Sequence, residues 1–221
     1  MIARTIVVAT VVSLAFVSSS RADLSDNFDT GANGWTMVVT PTTAQGNDSF
    51  SAPAAGGLPN GFLQITHTFN PQNPSDPFYT APATYLGDKS SYYGAGELNF
   101  DYFAGYTQSL PTGLGRVQLE GNGTILVYTF TLPSQGQQWY PVSVPLNASD
   151  LNWKVTGTGN QPTASDFQNV LSNLDELWID GINGAGPQST GLDNVALLST
   201  PEPASAACLF VAGIMLLGKR R

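Results

Sequence analysis

A succession of short runs rich in aromatic and β-branched residues, each closed by Gly, Pro, Asn or Ser, limits what this chain can fold into. The runs are Phe62 to Phe69, Glu97 to Tyr102, Arg116 to Glu120, Ile125 to Phe130, Tyr140 to Val144, Leu177 to Asp180 and Asn194 to Leu198. Their lengths are those of strands, and the residues between them are turn formers. Gly121-Asn122-Gly123 separates Leu119 from Ile125 and predicts a tight hairpin. One stretch repeats at helical spacing instead. Phe167, Val170, Leu171 and Leu174 share a face of Ala164 to Leu174, with Thr163 or Ser165 as N-cap. Many strands and one short helix predict an all-β domain of the jelly-roll β-sandwich kind.

Both ends break the pattern. Met1 to Ala22 reads as a secretory signal peptide: Arg4, then apolar Thr5 to Val17, then a small-x-small site at Ser20-Arg21-Ala22. Its apolar part is too short to span a bilayer. At the other end, Ala204 to Gly218 is uncharged and is followed by Lys219-Arg220-Arg221. As a helix at about 1.5 Å per residue it reaches about 22 Å, short of the ~30 Å hydrocarbon core. A single transmembrane helix over 204–218 therefore leans on the basic end, which snorkels and stays cytoplasmic. Pro201 and Pro203 stop that helix from extending backwards. The interval 23–199 is long enough for one domain with its own core.

Charge and rare residues narrow the function. Residues 23–199 hold only Lys89, Arg116 and Lys154 as bases, against all sixteen acids but Glu202. Such an acidic domain is unsuited to binding nucleic acid or anionic lipid, and is compatible with cations. The single cysteine, Cys208, lies in the apolar tail, so the domain has no disulfide or thiol chemistry. The single histidine, His67, excludes a multi-histidine zinc site and reads as a strand residue. Of the carboxylates open to glycoside hydrolysis, Glu97 and Asp101 fall on one strand face about 13 Å apart, too far for either mechanism. Glu120 stands alone, and no Gly-x-Ser-x-Gly elbow is present. The chain reads as a non-enzyme.

Two stretches resemble known families. Pro201-Glu202-Pro203, the apolar run and the basic end resemble, in that order, the PEP-CTERM sorting signal of Gram-negative bacteria, with Thr200 where the family often has Val. The resemblance implies an exosortase, a membrane cysteine protease acting in trans, as a partner. It also implies transient membrane attachment through the tail, and a final place in the cell envelope, at the cell surface or in extracellular matrix. The second resemblance runs from Phe78 to Leu198. Ala81 to Asp88, Ser91-Tyr92-Tyr93-Gly94 and Gly96 to Phe100 are similar to the core of the laminin B domain (domain IV). So are Gln118 to Tyr128 as a hairpin, Asp166 to Ile179 as helix then strand, and Leu192-Asp193-Asn194-Val195 as closing strand. Ala95 is an insertion within the family's Tyr-Gly-Gly pattern. Phe28 to Trp35 resembles the opening strand of carbohydrate-binding jelly rolls. Together these imply a galactose-binding-like sandwich over 23–199, flanked by the signal peptide (1–22) and the sorting signal (200–221).

Two ligand classes follow. Ser25 to Asp29 near the first strand and Asp193-Asn194 in the last bring oxygen donors to the two ends of the domain, which lie side by side in a jelly roll. Calcium takes six to eight oxygens, so Asp26, Asp29 and Asp193 are the expected ligands of a structural calcium. Trp35, Tyr85, Tyr93, Phe100, Trp139 and Trp178 serve either the core or a sugar-stacking platform; which of them face solvent is a tertiary question. The expected function is a non-catalytic surface or matrix module that holds extracellular polysaccharide or a surface glycoprotein. The alternatives are a purely structural matrix component and a polysaccharide-acting enzyme.

Overall fold

Asn122 and Gly123 carry positive φ, 49° and 73°, in the computed structural model. The two-residue turn thereby matches the twist of the strands it joins, β7 (Leu114–Gly121) and β8 (Thr124–Thr131). The structure describes residues 23–41, 48–68, 75–105, 114–131, 136–182 and 188–199. The expected signal peptide over 1–22 and sorting tail over 200–221, including Pro201, Glu202, Pro203 and Cys208, lie outside the described residues.

Before the hairpin come β1 (Leu24–Asp26), β2 (Thr36–Thr40), β3 (Asp48–Ser51), β4 (Leu63–His67), β5 (Asp76–Thr80) and β6 (Glu97–Gly105). After it come β9 (Gln138–Pro145), β10 (Trp153–Val155), helix α1 (Ala164–Ser172), β11 (Leu174–Asp180) and β12 (Gln188–Leu198). They form two antiparallel sheets. One runs β3-β4-β12-β6-β9, with β1 also on β12; the other runs β10-β8-β7-β11-β5-β2. Alternation decides what each strand buries. On β6, Leu98, Phe100, Tyr102 and Ala104 face inward and Asn99, Asp101 and Phe103 outward. Val117 and Leu119 on β7, Leu126 and Tyr128 on β8 and Ile179 on β11 meet them from the other sheet. A hydroxyl chain ties the sheets across this core. Tyr79 accepts from the Ile65 amide and bonds Thr190, whose hydroxyl donates to the Gly181 carbonyl. Burial raises the Tyr79 phenol well above its ordinary value.

Helix α1 begins as expected at Thr163, whose hydroxyl accepts from the Asp166 amide while the Asp166 carboxylate accepts from the Thr163 amide, a capping box. Those two bonds hold the Asp166 carboxyl below its usual range. The helix lays Phe167 against Trp153, ring centroids 5.0 Å apart, and against Tyr93. All seven expected strands form, most of them longer than the sequence signals. Phe28 to Trp35, expected as an opening strand, is instead a loop between β1 and β2. Asp29 to Gly34 is turn chemistry, with Asn33 at φ 51°, and only the flanking Phe28 and Trp35 enter the core, edge to face. β1, β3, β5 and β10 carry no signal comparable to the other seven, being short or polar or, in β5, containing Pro77; β2 (Thr-Met-Val-Val-Thr) is β-branched and is not among the expected strands.

Candidate functional site

With both inner faces filled, chemistry belongs to the outer faces. On the β11 sheet one row of paired residues crosses all six strands: Thr36, Thr80, Trp178, Gln118, Val127 and Lys154. Trp178 stands half-exposed in its middle. Its ring lies against Phe78, centroids 5.3 Å apart at 37°, and the Arg116 guanidinium sits 5.1 Å from the Phe78 ring centre. Arg116 grips Asp180 with two bonds, Nε to Oδ2 at 2.9 Å and Nη2 to Oδ1 at 3.0 Å, and reaches Asp76 at 3.1 Å. The planar fork fixes Arg116, and Arg116 holds Phe78 under Trp178. Burial pushes the Asp180 carboxyl up to about 6, against the lowering pull of Arg116. Next to the row, Glu120 and Glu176 stand directly opposite each other.

The outer face of the β12 sheet is built differently. A second cross-strand row contains Ser51, Gln64, Gly191, Phe103 and Trp139. A Cβ on Gly191 would come within 2.8 Å of the Trp139 ring and 3.0 Å of Phe103 and Phe62. The glycine thus lets the indole lie down on the sheet, although glycine weakens a strand. Trp139 packs on Phe62 and Phe103 at 5.5 and 5.4 Å and donates from Nε1 to the Gly56 carbonyl. Gly56 belongs to the loop 52–62, which straps part of this face. The strap is fastened by Asp193, which accepts from the Leu58 and Asn194 amides, and by Asn194, which donates to the Leu58 carbonyl and to Asp101.

The three acids expected to hold calcium turn to different partners. Asp26 accepts from Trp35 Nε1 at 2.9 Å and Asn33 at 3.0 Å. It lines a polar pocket of about 450 Å³ with Ser25, Asn27, Asn33, Asn194 and Ala196. Asp29 accepts from Asn27 and the Gly61 amide, beside the strap. Asp193 is fully buried. Burial raises its carboxyl, the Leu58 and Asn194 amides pull it down, and the charges of Asp101 and Asp29 raise it further. Among the described residues no three His, Cys, Asp or Glu side chains gather as a metal-holding group. His67 is buried and bonds Asp48 at 2.6 Å, a strand residue as expected. Glu97 is bonded by Ser143 and Asp101 by Asn194, so the two remain separate. Of the six aromatics singled out, Trp35, Tyr85 and Phe100 are core; Tyr93, Trp139 and Trp178 are half-buried. Sequence reasoning missed Arg116, Asp180 and Phe78 as parts of one site. The signal available was alternation: Arg116, Gln118 and Glu120 fall on the face opposite Val117 and Leu119.

The family profile described as Laminin B (Domain IV) matches residues 78–208, more than half of the 221 residues. The chain belongs to the laminin B (domain IV) family. Among curated proteins, none matches the sequence. Solved structures similar to this laminin B chain include the family 30 carbohydrate-binding module of a cellulosomal cellulase of Clostridium thermocellum. It is 12% identical, with a TM-score of 0.53, covering 82% of this chain and 100% of that one. A second is the family 11 carbohydrate-binding module of Clostridium thermocellum in complex with a β-1,3-1,4-mixed-linked tetrasaccharide, 14% identical, TM-score 0.51, covering 83% and 99%. The L4b domain of human laminin alpha-2 is 14% identical at a TM-score of 0.48, covering 62% and 80%. At such identities the likeness to the two modules is one of fold: an all-β, two-sheet sandwich.

Proposed function

We propose that this laminin B chain is an exported, non-catalytic glycan-binding module of the cell surface or extracellular matrix. Its binding surface is the outer face of the β11 sheet. The observation that carries this is the half-exposed Trp178 held on Phe78 by the Arg116–Asp180 fork, within a row of Thr, Gln and Lys side chains. A sugar ring needs a fixed apolar plate ringed by hydrogen-bonding groups, and a plate ordered before binding spares the cost of ordering it. The fold shared with modules whose names state carbohydrate binding supports the same reading. In the test, the full chain is titrated with the β-1,3-1,4-mixed-linked tetrasaccharide. Trp178→Ala is expected to weaken binding at this face at least about tenfold. Wild-type binding untouched by the substitution would overturn the reading, and no binding at all would favour a structural matrix component without a ligand. Release of reducing sugar would overturn the non-catalytic part.

Sorting completes the proposal. The signal peptide exports the chain, and the exosortase reads Pro201-Glu202-Pro203 and removes the tail in a Gram-negative envelope. Expression with and without an exosortase, followed by intact mass, tests it: no mass loss near Pro201 would sink it. We also propose a structural calcium for Asp26, Asp29 and Asp193. Asp29 and Asp101 repel the buried Asp193, and a cation would offset that; Asp26 is engaged by Trp35 and Asn33. Millimolar calcium is expected to raise Tm and a chelator to reverse it. An identical Tm under both conditions would remove calcium from the account.

A further inference from the structure

The β12-sheet face contains a feature that the Trp178 site does not use. Beside the row ending in Trp139 runs a parallel row of small residues, Ser49, Thr66, Ser189 and Gly105. Ser49, Ser51 and Thr66 are exposed, and Gln64 donates to the Ser189 hydroxyl at 2.9 Å. The small row is a shallow trough, and the Trp139–Phe103–Phe62 cluster is its wall. Neither row contains an ionisable side chain. Hydroxyls and an amide beside a flat indole, without charge, match an uncharged polyhydroxylated chain; a charged ligand would be desolvated there without a partner. The indole is fixed from two sides, by the Gly191 gap beneath it and by its bond to Gly56.

We infer that this face, centred on Trp139, is a second glycan-binding surface, specific for uncharged polysaccharide. Because it lies on the side of the sandwich opposite Trp178, one domain then bridges two polysaccharide chains. The bridging rests on the Trp178 reading; the Trp139 surface does not. Bridging strengthens attachment without any new contact, through the raised effective concentration of the second site.

Calorimetry of the full chain with the mixed-linked tetrasaccharide, paired with viscosity of the parent β-glucan, tests this. Two tetrasaccharides per chain and a rise in viscosity are expected. Trp139→Ala should bring the stoichiometry to one and abolish the viscosity rise. Thr66→Glu, an exposed change that leaves the core intact, should do the same by placing charge in the trough. One tetrasaccharide per chain, lost in Trp178→Ala and indifferent to Trp139→Ala and Thr66→Glu, overturns this inference alone. One tetrasaccharide lost in Trp139→Ala and kept in Trp178→Ala upholds the Trp139 surface and overturns the Trp178 reading. No binding overturns both.

Discussion

On the β11 face, Arg116 lies over Phe78 and forks onto Asp180, so a cation braces an aromatic plate. On the β12 face no cation among the described residues plays that part. There a loop is fastened to β12 by the Leu58 amide on the buried Asp193 and by Asn194 on the Leu58 carbonyl, and the indole of Trp139 is held by a carbonyl of that loop. Both solutions keep a tryptophan packed and partly exposed, yet they fail differently. The first is a side-chain lock whose loss is local to the sheet. The second is a backbone clasp whose loss frees a loop.

The largest effect is expected from the clasp. Asp193→Ala leaves the part-buried Leu58 and Asn194 amides without their acceptor, at a cost of about 3 kcal/mol, since an unpaired donor away from water costs roughly 1–3. Hydrogen exchange should rise at 56–62 and stay unchanged in β7 and β11; a uniform rise would erase the distinction between the faces. Next comes the lock. Arg116→Ala strips the buried Asp180 of its partner, and urea unfolding should report a loss of about 2 kcal/mol. That lies below the range for a fully buried pair because the Arg116 side chain is 40% exposed. The substitution should weaken tetrasaccharide binding at Trp178 and spare the Trp139 surface; equal loss at both would show that the faces are coupled.

The smallest effect concerns Glu176. Burial, then the charges of Glu120 and Asp175, raise its carboxyl above the ordinary value. A raised acid favours folding when protonated. Its contribution is full below the unfolded-state value and lost as pH rises through the folded one. Glu176→Gln is therefore expected to raise Tm by about 1–2 °C near pH 7 and to change nothing near pH 3. A gain of equal size at both would assign the effect to something other than charge.

Much of the architecture is written locally. Aromatic and β-branched runs closed by turn formers placed seven strands, Gly121-Asn122-Gly123 placed the hairpin, and Thr163 or Ser165 as N-cap placed the helix start, because each depends on neighbours within a few residues. The order of motifs from Phe78 to Leu198 was enough for the family. What such local runs could not supply is which strands adjoin. Short strands such as Asp48–Ser51 and Trp153–Val155 form because a partner edge is there to pair with, not because of their own residues.

The site was legible only in fragments for the same reason. Trp139 and Trp178 stood out in the sequence beside Trp35, and nothing local separated them from it. Burial is a property of the assembled sheets: Trp35 closes on Phe28 and Tyr85, while Trp178 faces outward from β11. Likewise the sequence put Asp26, Asp29 and Asp193 at the two ends of the domain, and the β1–β12 pairing brought those ends together. Only the tertiary structure decided that Asp26 turns to Trp35 and Asn33 while Asp193 fastens a loop. The sequence by itself determined the all-β class, acidity and family, since these depend on composition and short-range pattern. The tertiary structure decided which aromatic rings meet water and which carboxylates meet each other, since both are set by contacts between residues far apart in the chain.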